Sequence, residues 1–193
     1  MAIRVIAGSA KGKRLKLVPG DSTRPVMDRV KEALFSILGG DILDAHILDL
    51  FAGTGSVGIE ALSRGAEFAL FVDNNAQAIK TIRKNLALTH LEARASVRRA
   101  DALRLLEGQP AGAFDIIYIA PPQYMGLWKQ ALLALDRHSA WLTTSGIAIV
   151  QIDPDEQEAI KLTNLSPYDE RRYGNTLLWF FQRLETKMTP PEE

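Results

Sequence analysis

The stretch Ile47-Leu48-Asp49-Leu50-Phe51-Ala52-Gly53-Thr54-Gly55-Ser56-Val57-Gly58 decides the fold. An apolar run with a single acid in it reads as a buried strand over 47–51. Three glycines follow at G-x-G-x-x-G spacing, and a helix then runs to about Ser63. A strand, a glycine turn and a helix in that order form the first unit of a parallel sheet. Downstream, the pattern predicts strands over 68–73, 95–99, 114–119 and 146–151. They alternate with helices over 76–88, over 102–106 and through Leu127, Leu132, Leu133 and Leu135. This alternation, with near-continuous apolar strands, predicts an α/β protein whose sheet is covered by helices on both faces. The end of the chain breaks the pattern: 170–173 and 176–182 flank Gly174-Asn175 and read as a terminal antiparallel hairpin, which makes a mostly parallel, seven-stranded sheet. Upstream, two short β-rich runs within 3–18 flank Gly8 and Gly12 and read as a hairpin with basic residues at its turn. Pro19-Gly20-Asp21-Ser22 reads as a linker, and Pro25 and Asp28 lead into a helix through Val30, Ala33, Leu34, Ile37 and Leu38. The expected organisation is a basic hairpin extension over 1–20, a main domain over 21–185 and a frayed tail over 186–193.

Composition narrows the function. The chain has 193 residues, 47% hydrophobic and 24% charged, which fits one folded domain and excludes disordered and fibrous classes. With no cysteine, disulfides, thiolate metal sites and a cysteine nucleophile are excluded together. Apolar runs such as 147–150 and 177–181 are far shorter than the ~20 residues of a membrane span. Arg4, Lys11 and Lys13 interrupt any secretory h-region, so a cytoplasmic protein is expected. The net charge of +0 hides an asymmetry: residues 1–31 carry eight basic and two acidic residues, a net +6, which leaves −6 for the remainder. A basic arm on an acidic body points to a polyanion such as nucleic acid, or to a solvated hairpin kept soluble by its charges.

The glycine turn alone would suit a dinucleotide, with its pyrophosphate at a helix N-terminus. Asp49, four residues before Gly53, opposes that reading, because a carboxylate there repels a pyrophosphate and attracts a cation. Asp73 ends the next strand, placed for a ribose diol, and Asp101 follows the third strand. Three acids at successive strand ends suit a ligand with an ammonium group, a ribose and an adenine amine, which describes S-adenosylmethionine. Asp49, Phe51, Gly53, Gly55, Asp73, Asn74, Asp101 and Ala102 are therefore the candidate cofactor residues. The same acids are also candidate helix caps, as are Asn74 and Asn75. Glu60 reads as a solvated or locally paired side chain, with a role near Asp49 as the alternative.

The fourth strand runs into Ala120-Pro121-Pro122-Gln123-Tyr124. Two prolines cannot continue a central strand; they make a stiff turn at the carboxyl edge of the sheet, where ligands of open α/β sheets bind. Its carbonyls can accept from an exocyclic amine, and Tyr124 or the nearby Trp128 can stack on a flipped base. The other reading is a stiff loop beneath an aromatic cluster with Trp128.

Several segments resemble the bacterial 16S ribosomal RNA guanine-N2 methyltransferases: Arg4-Val-Ile-Ala-Gly8 with Gly12-Lys-Arg-Leu15, Arg24-Pro25 through Asp28-Arg29-Val-Lys-Glu-Ala-Leu-Phe35, Asp49 through Gly58 with Glu60-Ala-Leu-Ser-Arg-Gly65, and Tyr173-Gly174. The resemblance covers nearly the whole chain. It implies a Rossmann-like class I methyltransferase fold, S-adenosylmethionine as donor, no metal, and a basic hairpin that touches ribosomal RNA. Arg4, Lys11, Lys13, Arg14, Arg24 and Arg29 are then the candidate RNA contacts, and 16S rRNA or the small subunit is the expected partner of a monomer. Ala120, Pro121, Pro122, Gln123 and Tyr124 would form the reacting end. One departure stands out. That family has Asp-Pro-Pro followed directly by Tyr or Phe, whereas this chain has Ala120 in the acid's place and Gln123 inserted before Tyr124. Gln123, the carbonyls near Pro121, or Asp153 after the fifth strand are the candidate replacements. Other readings are a different acceptor (adenine N6 or a protein amide), a non-catalytic binder of cofactor and RNA, and a nicotinamide oxidoreductase.

Overall fold

The computed structural model describes residues 3–20 and 27–184. Arg24, part of the expected linker and the tail over 186–193 lie outside the described residues. Two short antiparallel strands, β1 (Ile3–Arg4) and β2 (Arg14–Leu15), open the chain. They are followed by α1 (Asp28–Leu38), β3 (His46–Leu50), α2 (Ser56–Ser63), β4 (Phe68–Asp73), α3 (Ala76–Thr89), β5 (Ala95–Arg99), α4 (Ala102–Leu106), β6 (Phe114–Ile119), α5 (Leu127–Arg137), β7 (Leu142–Ile152), β8 (Leu165–Tyr173) and β9 (Thr176–Arg183). The strands β3 to β9 form one sheet in the order β5-β4-β3-β6-β7-β9-β8. β3 to β7 are parallel, and β9 is antiparallel to both β7 and β8. This is the Rossmann-like α/β fold expected from the sequence, with β7 and β8 longer at their N-terminal ends than the pattern predicts. The strand order reverses between β3 and β6, the switch point at which ligands of such sheets bind.

Strand side chains alternate between two cores. On one face Ile47, Phe71, Tyr118 and Ile149 pack under α1, α2 and α3. On the other, Leu48, Leu50, Val72, Ile117 and Ile119 pack under α4 and α5. α2 lies so close to β4 that a Cβ at Gly58 would sit 2.4 Å from the Phe71 ring.

The N-terminal hairpin belongs to the first of these cores. Ile3, Val5, Ala10 and Leu15 are buried in it with Val30, Leu34 and Leu62. Gly8, at φ +82°, lies against α2 where a Cβ would be 1.8 Å from the Ser63 carbonyl oxygen. Ser63 completes the contact: its carbonyl accepts from Ser9 N–H, and its hydroxyl accepts from Ala10 N–H and donates to the Ala7 carbonyl. Among the described residues, then, the hairpin shares one core with α1 and α2. The apolar residues of the hairpin need the faces of α1 and α2 to leave water, and the helices need the hairpin.

Glu60 does form a local pair, with Arg64 four residues on, but neither it nor Lys31 is solvated. Glu60 is fully buried and accepts from Ile6 N–H at 2.8 Å, Ala7 N–H at 3.0 Å and Arg64 Nε at 2.8 Å, with Lys31 Nζ at 3.3 Å. Lys31, counted above with the basic arm, is equally buried and donates to the Arg4 carbonyl. Burial pushes its ammonium below the usual lysine range against the opposing pull of Glu60. Arg64 lies over the Phe35 ring, 4.9 Å from its centroid. One carboxylate thus joins the hairpin, α1 and α2. Removing one partner of a buried pair leaves an uncompensated charge and costs ~3–5 kcal/mol. Glu60→Ala is expected to lose stability of that order in chemical denaturation. A loss below ~1 kcal/mol, the range of an exposed pair, would contradict this placement.

Candidate active site

Four segments meet the carboxyl edge of the sheet around the β3–β6 switch point, and a fifth is tied to them through α3. β3 delivers the first. Asp49 is buried, and its Oδ2 accepts from Gly58 N–H at 3.1 Å. Phe51 turns the chain with φ +60°, uncommon for a residue with a side chain. Gly53, at φ +56°, follows; a Cβ there would meet nothing nearer than the Phe51 carbonyl oxygen at 4.0 Å, so a ligand can reach its backbone. Gly55 ends the turn in the left-handed region and precedes α2.

β4 delivers Asp73 directly opposite. Its Oδ2 accepts from Gly53 N–H at 2.9 Å and its Oδ1 from Asn75 N–H at 2.8 Å, which leaves a lone pair on each oxygen for a ligand. Asn74 is exposed, and its carbonyl accepts from Arg99 Nε. The cap of α3 is Asn75, accepting from Gln77 N–H. Asp101, after β5, caps α4 through Arg104 N–H and is otherwise exposed, while Ala102 packs into the core. Asp101 thus caps α4, whereas the cap of α3 falls to Asn75 and not to Asp73.

β6 delivers Ala120 half-buried, Pro121 buried, and Pro122 and Gln123 exposed. Tyr124, at φ +60°, is 67% exposed. Its N–H donates to Glu156 Oε1 at 2.8 Å. The Asp153 carboxylate facing its hydroxyl, then desolvation and the charges of Asp155 and Glu156, hold the phenol above the usual tyrosine range. Asp153 is buried at the end of β7, where it accepts from Asp155 N–H. Of the two aromatics read as a stacking face, only Tyr124 qualifies. Trp128 is 2% exposed and packs on Trp179 at 5.9 Å between centroids, because the first turn of α5 faces the second core.

The fifth segment is the hairpin, which the sequence reading kept apart from the cofactor loop. Buried Asn85 of α3 joins them: its Oδ1 accepts from Lys16 N–H at 2.7 Å, and its Nδ2 donates to the Lys16 carbonyl at 3.0 Å and the Thr54 carbonyl at 2.9 Å. An asparagine on the inward stripe of an amphipathic helix was the only signal of this role. Of the candidate RNA contacts, Lys11, Lys13, Arg14 and Arg29 are exposed, and Arg4 is engaged with Asp28 at 2.9 Å. No group of three or more His, Asp or Glu able to hold a metal occurs among the described residues. No described helix is long and apolar enough to cross a membrane.

These residues fit S-adenosylmethionine. An open backbone at Gly53, a carboxylate with free lone pairs at Asp73 and a buried acid at Asp49 offer partners for its polar parts. Desolvation raises the Asp49 pKa to about 8, against the Gly58 hydrogen bond that lowers it and with a further rise from Asp73. A neighbouring cation would restore the charged form. Between about 4, the ordinary carboxylic range, and about 8, the ligand-free folded chain holds a proton that the unfolded chain has released. Its stability therefore falls as pH rises across that window and levels off above it. Subtracting the unfolding free energies of Asp49→Asn from those of the native chain, measured from pH 4 to 9, should show this fall. A flat difference would mean that Asp49 is solvated.

Comparison with known proteins agrees with this architecture. The family model described as Conserved hypothetical protein 95 matches residues 3–182. A Bacillus subtilis protein named as an rRNA methyltransferase, YlbH, is 39% identical over 176 residues, 90% of this chain and 95% of the relative. Ribosomal RNA small subunit methyltransferase D of Escherichia coli is 32% identical over 181 residues, 94% of this chain and 90% of the relative. A solved Escherichia coli structure described as the methyltransferase yhhF superposes with a TM-score of 0.81 at 34% identity, covering 95% of this chain and 98% of that one. S-adenosylmethionine is the donor that these residues and a methyltransferase family fit. The chain belongs to this family, that of the D-type ribosomal RNA methyltransferases.

Proposed function

We propose that the chain methylates the N2 amine of a guanine in 16S ribosomal RNA, acting as a monomer in the cytoplasm. The observation that carries this reading is the pairing, across the switch point, of the Asp49–Gly53–Asp73 loop with a two-proline loop ending in an exposed tyrosine. Asp49 would hold the ammonium group of the donor, Asp73 the ribose hydroxyls and Asp101 the adenine amine, with Phe51, Asn74 and Ala102 lining the same edge. When bound, S-adenosylmethionine supplies an electrophilic methyl group on a sulfonium.

The chain's own part is orientation. The prolines fix the 120–124 turn, so its carbonyls face the target amine without ordering at the moment of reaction. Tyr124 offers its ring to the extruded base, held by Glu156 at its backbone. The guanine amine lone pair is delocalised into the ring. An acceptor on N2–H localises it and stabilises the positive charge that develops. Ala120 stands where the family motif that the sequence resembles has an acid, and two groups take its part: the neutral Gln123 carboxamide and the Asp153 carboxylate beside Tyr124. The hairpin cations Lys11, Lys13 and Arg14, with Arg29, hold the RNA backbone.

A neutral acceptor is worth about half a charged one. Gln123→Ala is therefore expected to lower kcat by up to about tenfold, the equivalent of ~0.5–1.5 kcal/mol, with cofactor affinity unchanged. Ala120→Asp is expected to raise kcat by a similar factor. Methyl transfer from labelled S-adenosylmethionine to 16S rRNA or to small subunits lacking the modification, followed by nucleoside analysis, measures both. Label on adenine or protein would replace the acceptor in this reading, and no label on any substrate would leave a non-catalytic binder.

A further inference from the structure

The basic surface does not end with the hairpin. From Ala76 to His90 the sequence contains no aspartate or glutamate. The inward stripe of α3 is Ala78, Ile79, Thr81, Ile82, Asn85, Leu86 and Thr89. Lys80, Arg83 and Lys84 are all on the solvent side. None of the three is in an ion pair among the described residues. They stand three and four residues apart, spacings at which like charges repel along a helix. A face meant only for solvent normally interleaves acids, and the rest of this chain has them in excess.

The placement of the stripe is independent of its charge. Asn85 binds both backbone groups of Lys16, so the basic hairpin lies against α3 next to Lys84. At its other end α3 starts at Asn75, two residues past Asp73 on the ligand edge of the sheet. At 1.5 Å per residue, the stripe runs from the hairpin to within roughly 6 Å of that edge. The basic segment over 1–31 offers fewer free cations than its sequence promises, because Lys31 is buried on Glu60 and Arg4 is engaged with Asp28.

We propose that Lys80, Arg83 and Lys84 on α3 form a second phosphate-binding surface for the RNA substrate, continuous with the hairpin. Together they make a track that leads the RNA backbone to the ligand edge. This rests on the reading of RNA as substrate given above.

The test is a triple variant, Lys80→Gln, Arg83→Gln and Lys84→Gln, bound to transcribed 16S rRNA over a range of salt. A matched control carries Lys129→Gln, Arg137→Gln and Lys161→Gln. It has the same change in net charge; Lys129 and Arg137 lie on α5, across the sheet, and Lys161 follows β7. Each single-strand phosphate contact contributes about 0.7 to the slope of log K against log salt. The α3 variant should therefore lose about 2 from that slope, and tenfold or more in affinity at ~0.1 M salt, with cofactor affinity and melting temperature as in the native chain. The control should keep the native slope. Native slope and affinity in the α3 variant would overturn the proposal, as would an equal loss in the control. If the native protein itself shows no salt-dependent binding to this RNA, the reading of RNA as substrate fails and the track falls with it.

Discussion

The buried Glu60 carboxylate is the constraint on which the rest of the molecule leans. Taking a carboxylate and an ammonium out of water costs several kcal/mol per ion, and only close geometry with further hydrogen bonds repays it. Lys31, Arg64 and the Ile6 and Ala7 amides provide that geometry from three separate elements. The hairpin can dock only when α1 and α2 are in place. α2, in turn, gives the Gly58 amide to Asp49 and so sets the floor of the glycine loop. Asn85 makes the second tie, from the hairpin to Thr54 within that loop. The surface that would receive RNA and the loop that would receive the donor are parts of one body. Orientation of two reactants demands this when no side chain has to act as nucleophile.

The sequence makes the local features legible and leaves the long-range ones hidden. β3, the glycine turn and α2 can be read because the apolar period and the glycine spacing lie within a dozen residues. The acids at the strand ends can be read for the same reason, since strand ends are where a parallel sheet binds. Glu60 and Asn85 could not be read this way. The partners that tie them to the hairpin are 53 to 69 residues away, and in sequence a charged or amide side chain on a helix looks solvated or locally paired. Lys31 was counted as a surface charge because composition cannot separate a buried lysine from an exposed one. Trp128 looked available for stacking because its neighbour Tyr124 is, yet one turn of α5 carries it into the second core. The basic face of α3 was hidden within the net charge of a segment that is acidic as a whole.

At the reacting end this chain departs from the motif of the family it resembles, with Ala120 in the acid's place. Loss of the acid at Ala120 is accompanied by a turn of three acids, Asp153, Asp155 and Glu156, placed beside the displaced Tyr124. Both Phe51 and Tyr124 hold the left-handed backbone that side chains avoid, one in each loop of the site. Strain of ~1–3 kcal/mol at each persists only where the surroundings over-determine it. Glu156 and the 153–156 turn do so for Tyr124. The loop is stiffened by two prolines and carries an aromatic ring, and the negative charge beside it lies on the 153–156 turn.

The central claim is that this rearranged site still methylates guanine in small-subunit RNA. Mass spectrometry of nucleosides from 16S rRNA, purified from cells with and without this gene, tests it most directly. The account predicts that N2-methylguanosine falls by one residue per 16S molecule when the gene is absent and returns when it is restored. An unchanged N2-methylguanosine content would contradict it.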